Sequence, residues 1–182
     1  MELCGPYTLS QYCRRKPSKA LPEVEAFSLF HPVLQAVSYL HSLNICHRDL
    51  KMTNILITTQ GNVKLIDLGF AEYTSAGPLT SYCGTPAYMS PEIVEKKEYR
   101  GKEVDLWALG VILYKLLTGE YPFGCEDDPS LQERILQANP LYPASMSEGA
   151  KKLLRGCFKV DPRARPSSAA MLGCEWIIGK GK

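Results

Sequence analysis

The chain has 182 residues, of which 45% are hydrophobic and 22% charged, so it can bury one sizeable core but is too short for two typical domains. Its 21 basic and 19 acidic residues are spread along the chain and leave a formal net charge of +2, which gives no electrostatic case for binding nucleic acid or a membrane surface. The sequence has no apolar run near the ~20 residues that cross a bilayer and no secretory pattern at its amino terminus, which favours a cytoplasmic or nuclear location.

Two helices are predicted in the first quarter of the chain. Thr8 can cap a short helix over residues 9–15, and a proline followed by two glutamates is typical of the start of a longer helix over residues 22–43. Pro32 lies inside this second helix and removes a backbone donor, so we expect a kink near His31. The apolar residues that recur at three- and four-residue steps along it, and so predict one buried face, are Phe27, Phe30, Leu34, Val37 and Leu40.

The middle of the chain changes from helical to β-prone sequence. Two short runs, residues 54–58 and 63–66, are separated by Thr-Gln-Gly-Asn, and together they predict a β-hairpin. Residues 70–92 contain several glycines and prolines with little periodicity. We therefore expect a long loop there, of the kind that usually carries function.

The second half of the chain is predicted to be helical. Residues 103–118 are apolar nearly all round, which is typical of a helix buried in the middle of a domain. Two further helices are expected over residues 129–138 and 147–158, and Ser167 can cap a last one that ends near Leu172. The fold class is therefore expected to be α+β and mainly α-helical.

The cysteines give no sign of a metal site or of a disulfide framework. There are seven of them, far apart and without a CxxC pair at zinc-site spacing. An odd number also argues against complete pairing. We expect reduced thiols.

The most specific pattern is His-Arg-Asp-Leu-Lys-Met-Thr-Asn at residues 47–54, followed across the hairpin by Asp-Leu-Gly at residues 67–69. The distance between the two aspartates along the chain suits a hairpin between them. The pattern resembles the catalytic loop and metal-binding motif of eukaryotic protein kinases, and the resemblance continues over nearly the whole chain. It implies a serine/threonine protein kinase domain over residues 1–182, made of the family's large lobe from hinge to last helix, with the catalytic loop carried by a short β-hairpin.

The resemblance assigns the chemistry to four polar residues. Asp49 accepts or orients the proton of the substrate hydroxyl, Lys51 neutralises the transferring phosphate of ATP, and Asn54 with Asp67 holds Mg²⁺. Phosphoryl transfer needs positioning and charge neutralisation more than covalent help, and these residue types provide both. Taken singly, each aspartate or asparagine is better explained by a cap or a turn, so only the set at this spacing indicates catalysis.

The same resemblance assigns structural and regulatory roles around the catalytic loop. His47 is expected to pack beneath Leu68, which replaces a commoner phenylalanine and can fill the same apolar slot. Arg48 is expected to receive a phosphate from the activation loop. Ser81 lies at the family's usual phosphosite, with Thr80 as the neighbouring candidate, which implies an upstream kinase as a partner.

Residues 84–92 resemble the loop that receives the substrate protein, although they end in Ser-Pro-Glu where the family usually has Ala-Pro-Glu. By resemblance, Thr85 belongs to this loop, and Glu92 pairs with Arg165 in a late Asp-Pro-Arg-Ala-Arg-Pro turn. Asp105 is assigned to the buried central helix.

The resemblance also bears on the substrate class. Lys51 and Thr85 are typical of the serine/threonine branch rather than of tyrosine-directed relatives. Thr53 and Lys115 stand where many basic-directed relatives have acidic residues. We therefore expect no strong preference for arginine two residues before the phosphosite.

The adenine site is assigned mainly to the start of the chain. Glu2 and Cys4 resemble the hinge whose backbone binds adenine, and Met1 stands at the gatekeeper position. Leu56 resembles the side chain that supports the adenine ring, although a core leucine explains it equally well. Together with Lys51, Asn54 and Asp67, these residues make up the expected ATP site.

The family's small lobe supplies a glycine-rich loop, a strand lysine and a helix glutamate, and none of these is found in this sequence. Its one G-x-G, residues 179–181, has no strand before it and is expected to lie in a flexible tail. The chain alone is therefore expected to have little or no activity. The surface that would meet the small lobe is expected to be exposed and to attract a partner chain.

Two other functions remain open. A non-catalytic docking module of the pseudokinase type would not need Asp49, Lys51, Asn54 and Asp67 together, and their joint presence argues against it. A small-molecule phosphotransferase of related fold would not need the substrate loop and the late helices.

Overall fold

The computed structural model describes residues 7–180 of the chain. The residues predicted to form the adenine hinge, Glu2 and Cys4, and the gatekeeper Met1 lie outside the described residues. Within the described range, no helix is both long enough and apolar enough to cross a membrane.

Helices dominate the structure, and the predicted mainly α-helical fold class is confirmed. The helices are α1 (Leu9–Arg14), α2 (Glu23–Ser42), α3 (Pro91–Val94), α4 (Gly101–Thr118), α5 (Leu131–Gln137), α6 (Glu148–Cys157), α7 (Ser168–Leu172) and α8 (Glu175–Lys180). The strands are β1 (Tyr7–Thr8), β2 (Ile45–Cys46), β3 (Ile55–Ile57), β4 (Val63–Leu65) and β5 (Glu72–Tyr73).

The strands form two small antiparallel sheets. β3 and β4 form the predicted hairpin, with Ile55 opposite Leu65, and β1 pairs with the other edge of β3. The chain turns between β3 and β4 at Gly61, whose φ of 82° lies in the left-handed region that glycine adopts without steric cost. β2 pairs with β5, so the segment before the catalytic loop is tied to the segment after Asp-Leu-Gly.

The first two helices begin where the sequence predicts, and the first has the predicted cap at Thr8. The hydroxyl of Thr8 accepts a hydrogen bond from the Gln11 N–H at 3.2 Å, and the Gln11 side chain accepts one from the Thr8 N–H at 2.9 Å. This reciprocal pair is a capping box, which satisfies two backbone donors that the helix leaves free. α2 continues through Pro32 as one helix, so the predicted kink stays a prediction.

α4 is the centre of the fold. Its residues 104–114 are all buried, and α2, α6 and β2 pack around it, as the all-round apolar sequence predicts. The helix ends at Gly119, whose φ is 78°. A Cβ at this glycine would lie 2.6 Å from the Cβ of Lys19, so Gly119 also lets the segment before α2 approach the end of α4.

Two short helices were not expected from the sequence. α3 begins at the end of the predicted long loop and extends two residues beyond it, and α8 follows the helix that was predicted to be the last. α8 forms because Trp176 and Ile177 are buried, and Trp176 makes edge-to-face contacts with Phe27 and Phe30 of α2. The prediction that residues 179–181 lie in a flexible tail is therefore wrong for 179 and 180, which complete this helix.

Candidate active site

The catalytic loop, residues 47–54, is held in place by a carboxylate from the central helix. Asp105 is 1% exposed, and its two carboxylate oxygens accept hydrogen bonds from the backbone N–H groups of His47 and Arg48 at 2.8 and 2.9 Å. Arg48 has a φ of 66°, a left-handed conformation that costs free energy for a residue with a side chain. The two hydrogen bonds to Asp105 offset that cost, so α4 determines where the loop turns.

A buried histidine of α2 extends this support. The Nε2 of His41 lies 2.9 Å from Asp105, and its Nδ1 lies 3.2 Å from the hydroxyl of Ser168 in α7. Because the carboxylate can only accept, Nε2 donates to it, and Nδ1 pairs with the serine hydroxyl. Sequence reasoning missed His41, although it stands four residues after Val37 on the buried face of the helix.

The carboxylate of Asp49 lies at the centre of the site and contacts three side chains. The ammonium of Lys51 is 2.7 Å from Oδ2, the amide nitrogen of Asn54 donates to the same oxygen at 3.0 Å, and the hydroxyl of Thr85 donates to Oδ1 at 3.2 Å. Lys51 also donates to Thr85 at 3.1 Å. The structure thus brings together three residues of the catalytic loop and one of the predicted substrate loop.

Asp67 follows β4 at the open end of the hairpin, opposite the turn, and lies next to Asn54 in space. The backbone N–H of Ile66 donates to the carbonyl of Asn54 at 2.9 Å, which places Asp67 one residue beyond that contact. Asp67 is exposed, and one of its carboxylate oxygens accepts from the Gly69 N–H at 3.1 Å. Because the nitrogen of the Asn54 amide faces Asp49, its oxygen is directed away from that carboxylate.

These oxygen donors fit Mg²⁺. The ion prefers hard oxygen ligands and is commonly held by one or two carboxylates together with substrate phosphates. Between residues 7 and 180, no group of three or more His, Cys, Asp or Glu side chains could hold a metal ion by itself. The oxygen atoms of Asp67 and Asn54 therefore suit an ion whose other ligands come from the phosphates of a substrate.

Arg48 connects the catalytic loop to the long loop. Its guanidinium donates to the carbonyl of Phe70 at 2.6 Å, to the hydroxyl of Ser81 at 2.7 Å and to the hydroxyl of Tyr99 at 3.4 Å. Within residues 7–180, the hydrogen bonds and ion pair of the Arg48 guanidinium do not include Thr80, the other predicted phosphosite. Burial raises the pKa of Tyr99, and its hydroxyl donates to the Ser81 carbonyl at 2.9 Å. Tyr99 carries no sequence signal that would have indicated this position.

Leu68 does not fill the predicted apolar slot. Its side chain is 56% exposed, whereas His47 is fully buried with its Nε2 3.2 Å from the carbonyl of Ile66. The expected packing of His47 beneath Leu68 is therefore corrected: the leucine lies on an open face of the described structure, together with Phe70, which is 45% exposed. Leu56 is half-buried on β3, and its contact with adenine stays a prediction.

The predicted substrate loop packs against the catalytic loop through Tyr88. Its phenolic oxygen accepts a hydrogen bond from the Met52 N–H at 3.4 Å, and burial raises its pKa. Gly84 has a φ of 107°, and a Cβ there would lie 3.2 Å from the Arg48 carbonyl. Only glycine adopts this conformation readily, so the loop can pass close to the predicted catalytic residues.

Glu92 and Arg165 form a buried ion pair. The guanidinium donates to both carboxylate oxygens at 2.7 Å, and it also donates to the carbonyls of Lys159 and Glu103 at 2.9 Å each. The side chains are 6% and 0% exposed. The structure therefore ties the end of the substrate loop to the late turn, 73 positions further along the chain.

Ser90, which stands where alanine is usual, offers a first testable prediction. It is 1% exposed, and its hydroxyl has no hydrogen-bond partner within the described structure. A buried hydroxyl without a partner costs free energy, so Ser90→Ala should leave the free energy of unfolding unchanged or raise it by about 1 kcal/mol. Urea denaturation followed by circular dichroism measures this change.

Ser147→Ala is the matched control for that experiment. The Ser147 hydroxyl accepts from the Ala150 N–H at 3.3 Å at the start of α6 and donates to Glu23 at 2.9 Å. Loss of such a cap costs about 1 kcal/mol. Equal losses of stability in the two variants would contradict the view that the Ser90 hydroxyl is unsatisfied.

Two of the buried thiols have low reactivity. Burial raises the pKa of Cys46 to about 11 and that of Cys157 to about 12. A thiol with a raised pKa is a poor nucleophile at neutral pH.

The sequence is similar to known proteins over most of its length. Residues 1–177 match the protein kinase domain. The chain is 41% identical over 158 residues to serine/threonine-protein kinase SIK2 from Gallus gallus. The aligned region covers 86% of this chain and 20% of that protein. It is 40% identical over 158 residues to serine/threonine-protein kinase SIK1 from Mus musculus, with the same coverage of each chain.

A more distant relative is the probable serine/threonine-protein kinase KIN1 homolog from Encephalitozoon cuniculi. It is 38% identical over 161 residues, which cover 88% of this chain and 28% of that protein. The chain thus spans 20% to 28% of the length of these curated relatives.

Proposed function

Because the chain belongs to the eukaryotic serine/threonine protein kinase family, we propose that it is a kinase catalytic segment that transfers the γ-phosphate of ATP to a serine or threonine hydroxyl of a protein. The observation that carries this proposal is the environment of Asp49. Its carboxylate is 2.7 Å from the ammonium of Lys51 and also accepts from Asn54 and Thr85.

Each of these side chains has a part in the proposed transfer. Asp49 accepts the proton of the substrate hydroxyl, and its contacts with Lys51 and Asn54 keep the carboxylate in one orientation. Lys51 places a positive charge beside the transferring phosphate. Thr85 contacts both Asp49 and Lys51, so the substrate loop is joined directly to the groups that act on the hydroxyl.

Asp67 and the amide oxygen of Asn54 would hold Mg²⁺. When bound, the ion neutralises charge on the phosphates of ATP. The hairpin of β3 and β4 keeps the two side chains at one mouth, and the exposure of Asp67 leaves its carboxylate accessible to a nucleotide. Glu2, Cys4 and Leu56 are proposed to complete the ATP site.

The Arg48 contacts support regulation by phosphorylation of Ser81. The guanidinium already lies 2.7 Å from the Ser81 hydroxyl, so a phosphate on that oxygen would be within reach of charge-assisted hydrogen bonds. Such bonds would order the long loop on the catalytic loop. We propose that an upstream kinase supplies this phosphate.

Leu68 and Phe70 support the need for a second lobe. Both are apolar and exposed next to Asp67, and water at that face would screen the charges on which phosphoryl transfer depends. We propose that a small lobe or a partner chain covers them. These 182 residues alone should then transfer little or no phosphate.

The test measures phosphate transfer from Mg²⁺-ATP to a generic protein substrate by three proteins: the chain alone, the chain fused to a kinase small lobe, and the fusion carrying Asp67→Ala. We expect activity only in the unmodified fusion, with a loss of at least about 100-fold in Asp67→Ala because a metal ligand is missing. Asp127→Ala, which changes an exposed aspartate, is the control and should keep full activity.

Each other result has a defined meaning. Turnover by the chain alone, with the same dependence on Asp67, would show that a second lobe is not required. A well-folded fusion without activity would favour a docking module of the pseudokinase type over an enzyme.

A further inference from the structure

A basic pocket lies beside the catalytic loop, outside the group of residues that contact Asp49. It is formed between α1, the segment before α2 and the end of α4. Three cationic side chains line it, Arg14, Lys19 and Lys115, whereas Glu120 is the single carboxylate among the described lining residues. The pocket therefore carries an excess of positive charge.

The three cations have no acidic partner within 4 Å in the part of the chain that the structure describes, residues 7–180. Lys16, close to them in sequence, shows the contrast, because its ammonium is 2.7 Å from Glu25. The ammonium of Lys115 instead lies 3.2 Å from the centre of the Tyr121 ring. This cation–π contact holds the charge at one place without neutralising it.

The pocket lies within reach of the site of transfer. Met52 forms part of its lining and stands three residues after Asp49, and three residues of chain span at most about 11 Å. On the other side, Tyr121 packs edge-to-face on Tyr88 of the substrate loop, with ring centres 5.6 Å apart. An extended peptide whose hydroxyl meets Asp49 could therefore place a side chain in the pocket from about three or four residues away.

We propose that this pocket binds an acidic side chain of the substrate, within about four residues of the phosphorylated serine or threonine. The proposal rests on the proposed kinase function and adds a substrate class to it. An anionic group would meet three cationic side chains against the single carboxylate of Glu120, and a basic side chain at the same place would be repelled. The pocket thus provides both attraction for acidic substrates and discrimination against basic ones.

A binding experiment tests this without requiring catalysis. Fluorescence anisotropy measures the affinity of the chain for labelled serine peptides that differ only at one position, which carries glutamate, glutamine or lysine and is moved from four residues before to four residues after the serine. We expect at least one position where the glutamate peptide binds on the order of fivefold more tightly than the glutamine peptide, with the lysine peptide weakest. Equal affinity at every position would overturn the proposal.

Charge-reversal variants assign the effect to the pocket. Lys115→Glu and Arg14→Glu should each remove the preference for glutamate, and two variants are used because a change in the partly buried Lys115 could also disturb α4. Lys152→Glu, an exposed lysine of α6, makes the same change in net charge and should keep the preference. A preference that survives both pocket variants, or that disappears in Lys152→Glu, would show that the pocket does not bind the acidic group.

Phosphorylation of the same peptides by the small-lobe fusion separates this proposal from the kinase proposal. Equal rates and affinities for glutamate and glutamine peptides would leave the kinase function standing and overturn the pocket. A glutamate preference in binding without phosphorylation of any peptide would support the pocket and contradict the kinase function. A phosphoserine peptide included at the best position distinguishes a phosphate from a carboxylate as the preferred anion.

Discussion

Asp49→Asn should reduce phosphate transfer by the small-lobe fusion by about 10²–10⁴-fold while the protein remains folded. Asparagine has the same shape, and its oxygen can still accept from Thr85 or Lys51, but the amide cannot take the proton of a substrate hydroxyl. The contacts of Asp49 with three neighbours hold this carboxylate in one orientation. We therefore expect this substitution to reduce activity more than a substitution of any other single side chain in the site.

The measurement is kcat/KM for a protein substrate, with thermal unfolding of each variant as the check on folding. Asp127→Asn makes the same chemical change at an exposed residue and should retain full activity. If Asp49→Asn kept more than about one tenth of the activity, proton acceptance by Asp49 would contribute less than general base catalysis normally does.

Arg165→Met should destabilise the fold strongly, with a loss of about 3–5 kcal/mol in the free energy of unfolding. The substitution leaves the carboxylate of Glu92 buried without its ion partner. It also removes the donors that reach the carbonyls of Lys159 and Glu103. Because the substrate loop ends at Glu92, we expect this loop to loosen before the rest of the fold.

The neighbouring Arg163 provides a matched control two residues away. Its ion pair with Asp161 is exposed, with 86% of the arginine side chain accessible, and such pairs contribute at most about 1 kcal/mol. Urea denaturation of Arg165→Met, Arg163→Met and the double variant Glu92→Leu/Arg165→Met compares these sites. We expect the double variant to recover part of the loss, since it leaves no unpaired buried charge. Similar losses for Arg165→Met and Arg163→Met would show that burial of the pair does not matter.

Much of the secondary structure could be predicted because its signals are local. The cap at Thr8, the β-prone runs on either side of the hairpin turn and the all-round apolar sequence of α4 each depend on neighbours within a few residues. α8 could not be predicted in this way. Its six residues carry a weak pattern of their own, and it forms because Trp176 is buried against α2.

The order of polar residues in the catalytic loop likewise lies in the sequence. Asp49, Lys51 and Asn54 are separated by so few residues that one turn of chain brings them together, and the hairpin then returns the chain to Asp67. For this reason the sequence by itself determined the family, the fold class and the residues proposed for phosphate transfer.

Only the tertiary structure decided what holds and surrounds these residues. The contact of His41 with Asp105 spans 64 positions, and that of His41 with Ser168 spans 127 positions. Contacts between residues so far apart in the sequence leave no periodic or local pattern, because they depend on how whole helices pack. The same reason explains why the exposure of Leu68, and the lack of an ion pair for Arg14 and Lys115 within residues 7–180, were visible only in three dimensions.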